Sequence, residues 1–142
     1  MTTQIGKSDA ESIILKSTGV SSCAEDHSYE LKPIKWYFKK PWYGLRKYFY
    51  VKEACDCDDF CTIFKYELLR RYLKIVESSA SRAGGSYPAL PVFQAKVQLT
   101  SGVNHFCLFV IADDGTYFIE RTGDSIRYIE RSEIKEIWKI QA

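Results

Sequence analysis

CDDFCTIFKYELLRRYLKIVESS, residues 57–79, reads as one long helix. Phe60, Phe64 and Leu68 recur at helical spacing with Ile63 and Leu69 beside them, so one stripe is apolar. Asp56 suits the N-cap, and Asp58 and Asp59 favour the first turn through the positive end of the helix dipole. Arg70, Arg71 and Lys74 fall in the C-terminal half. The helix should fade before Ser78-Ser79-Ala80-Ser81, and Gly84-Gly85 ends any continuation. Cys57 therefore stands at a helix start, where the same dipole favours a thiolate over a thiol.

Downstream the hydrophobic period changes. A Gly/Pro loop over residues 82–91 precedes strand-like runs at Val92–Leu99, Phe106–Ala112 and Tyr117–Glu120, with Asp113-Asp114-Gly115 as a tight hairpin turn between the last two. Ile126–Ile129 adds a short candidate strand. The tail, Glu133–Ile140, is ambiguous: Ile134, Ile137 and Trp138 suit a helix, whereas Ile-Trp-Lys-Ile suits a strand. Upstream, Ser8-Asp9-Ala10-Glu11 matches a capping box before Ile13, Ile14 and Leu15, which predicts a helix over residues 9–17. Residues 19–30 read as loop. Helices first and antiparallel strands later make an α+β pattern.

Between the loop and the long helix, residues 32–52 hold seven basic residues, no acid and eight aromatics, among them Trp36 and Trp42. Such a mixture can stack on and contact a ligand, and it marks Trp36 and Trp42 as substrate-binding candidates. Ordinary strand patterning, two extended segments with aromatics inward and lysines outward, fits it better.

A length of 142 residues supports one domain with a core of its own, spanning residues 1–142. With 46% hydrophobic and 15% aromatic residues the chain is globular, which excludes general disorder. A net charge of +2 argues against nucleic acid as an obligate partner. No apolar run approaches the ~18 residues of a membrane span. The N-terminal MTTQIGKSDAES has no apolar core of a signal peptide. The five cysteines (Cys23, Cys55, Cys57, Cys61 and Cys107) are then expected as reduced thiols in the cytoplasm, most of them simply small buried hydrophobes.

A cysteine nucleophile needs a lowered thiol pKa, a base and a group that orients the base. Cys57 begins the helix, His105 begins a strand, and Glu120 ends the next. The hairpin joining those strands places its open ends side by side, so His105 and Glu120 should meet. His27, in a loop beside Glu25 and Asp26, is the weaker base candidate. Asp58 and Asp59 oppose ionisation of the neighbouring thiol, and a calcium or manganese ion bound by them would offset that charge. Asn104 or the amides of the helix start are candidates for an oxyanion donor.

These residues resemble the papain-like protease domain that follows the lectin repeats of a mushroom chimeric agglutinin, and its short stand-alone relatives. The resemblance covers about residues 50–125 and rests on Cys57-Asp58-Asp59-Phe60, His105, Asp113-Asp114 and Glu120-Arg121-Thr122-Gly123. It implies a papain-like α+β fold, with a nucleophile helix packed on an antiparallel sheet. It also implies a calcium-dependent cysteine hydrolase acting on peptide or amide bonds, with Cys57 as nucleophile, His105 as general base and acid, and Glu120 as orienting residue. The lectin repeats are absent here, and Arg121 stands where the family has proline.

Two other classes compete. Cys55, Cys57, Cys61, His105 and Cys107 offer a zinc tetrad for a structural module, though their spacings are unlike common zinc fingers. A non-catalytic interaction protein, of phage, viral or mobile-element type, would use segment 32–52 as its binding face.

Overall fold

The computed structural model describes residues 3–39, 57–80, 87–122 and 125–141. In chain order the elements are β1 (Thr3–Gly6), α1 (Lys7–Thr18), β2 (Ser28–Leu31), α2 (Ile34–Tyr37), α3 (Cys57–Ala80), β3 (Val92–Leu99), β4 (Asn104–Ile111), β5 (Thr116–Thr122), β6 (Ser125–Ile129), a 3-10 turn at Arg131–Glu133, and β7 (Ile134–Gln141). β1 and β2 form a small antiparallel pair. The other five strands form one antiparallel sheet in the order β6-β5-β4-β3-β7.

β4 is the middle strand, and from Cys107 to Ile111 every residue is buried. Strand alternation sends Cys107, Phe109 and Ile111 to one hydrophobic layer and Leu108 and Val110 to another. The first layer is closed by Ala10 and Ile14 of α1, by Tyr29 of β2, and by Ile134, Ile137 and Ile140 of β7. The second is closed by Cys61, Phe64, Leu68 and Tyr72, which recur along one face of α3, and by Tyr37 of α2. A strand covered on both sides reads as a continuous apolar run.

The papain-like class is corrected here. Most of the structure is the five-stranded antiparallel sheet with a few helices around it. The expected strands Val92–Leu99 and Ile126–Ile129 are β3 and β6, β7 completes the sheet, and a layer of α1, β1 and β2 covers its far face. The long helix runs Cys57–Ala80 against the expected 57–79. The first helix runs Lys7–Thr18, but its N-cap is Gly6 and no side chain caps it. The capping box at Ser8 and Glu11 is not formed, because Glu11 accepts the Ala24 N–H instead, at 3.2 Å. β1 was not expected, and β2 lies at the end of a segment read as loop. Its carbonyls and amides are used by β1 and by Ala89, which pairs with Tyr29 in parallel.

The ambiguous tail is a strand. Its buried residues, Ile134, Ile137 and Ile140, are three apart because two register shifts interrupt the β3–β7 ladder. Each shift leaves one β7 residue, Lys135 or Trp138, without a Cα partner on β3. Gly102, at φ +90°, makes the β3–β4 turn, where its N–H donates to the Leu99 carbonyl at 2.8 Å.

Leu68 is fully buried beneath α3, whereas Leu73 is 60% exposed. Leu68→Ala should therefore cost about 2–5 kcal/mol of unfolding free energy, and Leu73→Ala only about 0.5 kcal/mol or less. Urea unfolding of both variants checks this; equal losses would mean that α3 docks by another face.

Candidate functional site

His105 lies near the start of β4, where its Cα partner on β3 is Val97. Glu120 lies on β5, and its Cα partner on β6 is Arg127. The two carboxylate oxygens of Glu120 are divided between these neighbours: Oε2 meets His105 Nε2, and Oε1 accepts from Arg127 Nε. Arg127 Nη1 also donates to Glu133 Oε1 at 3.3 Å, at the end of the 3-10 turn. One carboxylate thus ties together β4, β5 and β6.

Glu120 is only 8% exposed. Burial by itself would raise its pKa. The hydrogen bond and charge of His105, with those of Arg127, outweigh burial and hold the carboxyl below its ordinary value. Burial acts against the Arg127 charge, but Glu120 and then Glu133 push its pKa upward.

Cys57, His105 and Glu120 all line one cavity of about 10 Å³, shared with Cys61, Cys107 and Arg121. That volume is close to the space one water molecule occupies. Cys57 is half-buried at the first position of α3, while Cys61 and Cys107 are buried. Cys61 Sγ donates to the Cys107 carbonyl at 3.2 Å. Burial pushes the Cys61 thiol up to about 12 and raises that of Cys107 as well, so both stay protonated near neutral pH. The structure thus brings the three expected residues to one small cavity, where the carboxylate is held between the His105 ring and the Arg127 guanidinium.

The other candidates lie elsewhere. Asn104 is exposed at the start of β4 and does not line the cavity. Trp36 is half-buried on α2, with the Arg71 guanidinium 5.0 Å from its ring centroid and the Tyr72 ring at 6.4 Å. Arg71 Nη1 donates to the Trp36 carbonyl at 2.6 Å. The turn of helix at Ile34–Tyr37 replaces the extended conformation expected there and points Trp36 at α3. Trp42, Cys55 and Asp56 lie outside the described residues. Asp58 and Asp59 occupy the first turn of α3, where the Asp59 N–H donates to Asp58 Oδ1 at 3.0 Å. Among the described residues, no group of three or more His, Cys, Asp or Glu side chains is placed to hold a metal ion. None of the described helices is long and apolar enough to cross a membrane.

Arg127 is the functional neighbour that sequence reasoning missed. Its signal was present: Glu120 and Arg127 are opposite charges that become Cα partners when residues 116–122 pair with 125–129.

No family model matches the chain, and no curated protein does. Among solved structures, the fold is similar to that of a PSL1a–E64 complex, with a TM-score of 0.71 and 15% identity over 98% of this chain and 51% of that one. It is also similar to a Polyporus squamosus lectin bound to the human-type influenza-binding epitope Neu5Aca2-6Galb1-4GlcNAc, with a TM-score of 0.65 and 15% identity over 98% of this chain and 49% of that one. The chain spans about half the length of these two proteins. At this identity the likeness carries the fold. These similarities correct the expectations drawn from the resemblance. The neighbours are structures of a lectin, so the papain-like protease family and the cysteine hydrolase are set aside, as is a peptide or amide as substrate.

Because the folded-state pKa of Glu120 is depressed, its stabilisation is present above the unfolded value, near 4.5, and is lost as pH falls through the folded value. Glu120→Gln should lower stability by about 1–3 kcal/mol at neutral pH and flatten the loss on acidification. Thermal melts between pH 3 and pH 7 check this; parallel pH profiles for variant and parent would show that the ion pairs contribute nothing.

Proposed function

We propose that the protein is a non-catalytic binding module whose ligand is of the glycan class. The observation that carries this reading is a cleft of about 430 Å³ at the β5–β6 edge, lined by Ser17, Thr116, Tyr117, Tyr128, Glu130 and Arg131 among others. Tyr128 is 40% exposed. Its ring lies 5.6 Å from that of Tyr117 and 4.7 Å from that of Phe38, so an aromatic platform borders the cleft. A sugar presents C–H faces to such a platform and hydroxyls to the hydroxyl and charged groups beside it. The likeness to a lectin that binds a sialylated trisaccharide supports the ligand class.

In this reading His105 and Glu120 are positioning residues. Glu120 holds β6 to β5 through Arg127, and those strands carry Tyr128 and Tyr117. Ser17 of α1 lines the same cleft, which supports residues 1–142 working as a single unit. The four described cysteines are free, which supports a reducing, cytoplasmic setting.

A glycan array followed by calorimetry tests the proposal. Binding should weaken at least tenfold in Tyr128→Ala and be unchanged in Cys57→Ala. Absence of glycan binding would overturn it, as would amide hydrolysis that disappears in Cys57→Ala.

Calcium or manganese at Asp58 and Asp59 is a separate proposal, supported by two adjacent carboxylates at one helix start. Addition of calcium to chelator-treated protein should then raise the melting temperature, and Asp59→Asn should remove the rise. An unchanged melt would end this proposal.

A further inference from the structure

We propose that the outer face of the β3–β7 pair binds a phosphate- or sulfate-type oxyanion between Lys96 and Lys139. The two lysines are Cα partners across the antiparallel ladder, so their side chains leave the same face of the sheet side by side. Like charges set directly opposite each other destabilise a sheet. Neither lysine has an ion pair among the described residues, and Glu136, opposite Gln98, pairs with neither.

The surroundings are built rather than bare. Lys96 Nζ lies 5.8 Å from the Phe106 ring centroid and 5.5 Å from that of Trp138, the residue that the register shift leaves over. Two aromatic faces thus hold the ammonium in place. Gln94 and Gln141, the next partners on the same face of the ladder, are joined by a 3.3 Å side-chain hydrogen bond. Together with Phe106 and the two lysines they line a cleft of about 290 Å³ with no carboxylate in its wall. α3 packs mainly on β4 and β5 and reaches β3 where Gln94 Nε2 donates to Thr62 Oγ1 at 3.3 Å, so it borders the cleft at its Gln94 end while the lysine end stays open.

Lysines on the edge strand β7 also discourage strand addition. That role does not account for Lys96, which sits on an interior strand. Two cations, amide donors and no acid are complementary to a compact oxyanion, either free or carried as an ester. The inference stands independently of the tyrosine cleft, which opens on the opposite edge strand, β6.

Two-dimensional NMR of the full chain, titrated with sodium phosphate at constant ionic strength, tests it. Saturable shifts are expected at Lys96, Phe106 and Lys139, with no comparable response to sodium chloride. Lys139→Gln and, separately, Lys96→Gln should each weaken phosphate binding at least tenfold. Lys139→Gln should also raise the melting temperature without anion, because it removes the opposed charge. A sulfated monosaccharide that binds tenfold more tightly than inorganic phosphate would identify an esterified group; equal binding would identify the free anion. Shifts that never saturate, a chloride response of the same size, or undiminished binding in both variants would overturn the assignment.

Discussion

β4 is buried on both faces, and the rest of the architecture answers to that constraint. A strand with apolar side chains above and below it needs a cover on each side. Its backbone also needs partners on each edge, since an unpaired buried amide or carbonyl is costly. β3 and β5 supply the edges. α3 and α2 cover one face, and α1 with the β1–β2 pair covers the other. β3 and β5 also send residues to both hydrophobic layers, but β4 lies between them, and either cover would lose apolar footing if β4 were displaced.

At one end of this sheet the apolar logic gives way to charge. Glu120 is almost fully buried, and an isolated carboxylate there would be pushed toward its neutral form. His105 on one neighbouring strand and Arg127 on the other keep it ionised. The same pairs hold three consecutive strands in register beside a cavity with room for about one water. Cys57 stands at that cavity too, but Cys61 and Cys107 beside it are buried thiols with raised pKa values. Larger clefts lie elsewhere, among them one at the tyrosine edge by β6 and one on the lysine face of β3 and β7. The polar network around Glu120 is thus closed beneath the sheet end, while the larger clefts open at the surface.

Several elements were legible because local signals and tertiary demands agree. The α3 stripe of Phe60, Phe64 and Leu68 is periodic and is buried, so helix period and packing coincide. The turn at Asp113-Asp114-Gly115 joins β4 to β5 where expected, with the Ala112 N–H donating to the Gly115 carbonyl at 2.8 Å. The meeting of His105 with Glu120 followed from the hairpin alone. Other elements were misread because a tertiary partner won over a local motif. Glu11 abandons the capping box for the Ala24 amide. Trp36 turns from an expected ligand face onto Arg71. A short cysteine-acid-histidine pattern resembled a hydrolase, whereas the solved structures similar in fold are those of a lectin.

The amino-acid sequence by itself determined the elements whose reason is local: the long helix with its acidic first turn, the tight hairpin, and the apolar run of β4. Hydrophobic period and turn chemistry act within a few residues, so one dimension suffices to read them. Only the tertiary structure decided that the tail is a strand, since its three-residue repeat of isoleucines comes from two register shifts against β3. It also decided that Arg127 completes the Glu120 network and that Lys96 faces Lys139. Those relations depend on which strands become neighbours and in what register, a choice made by packing both faces of one sheet at once.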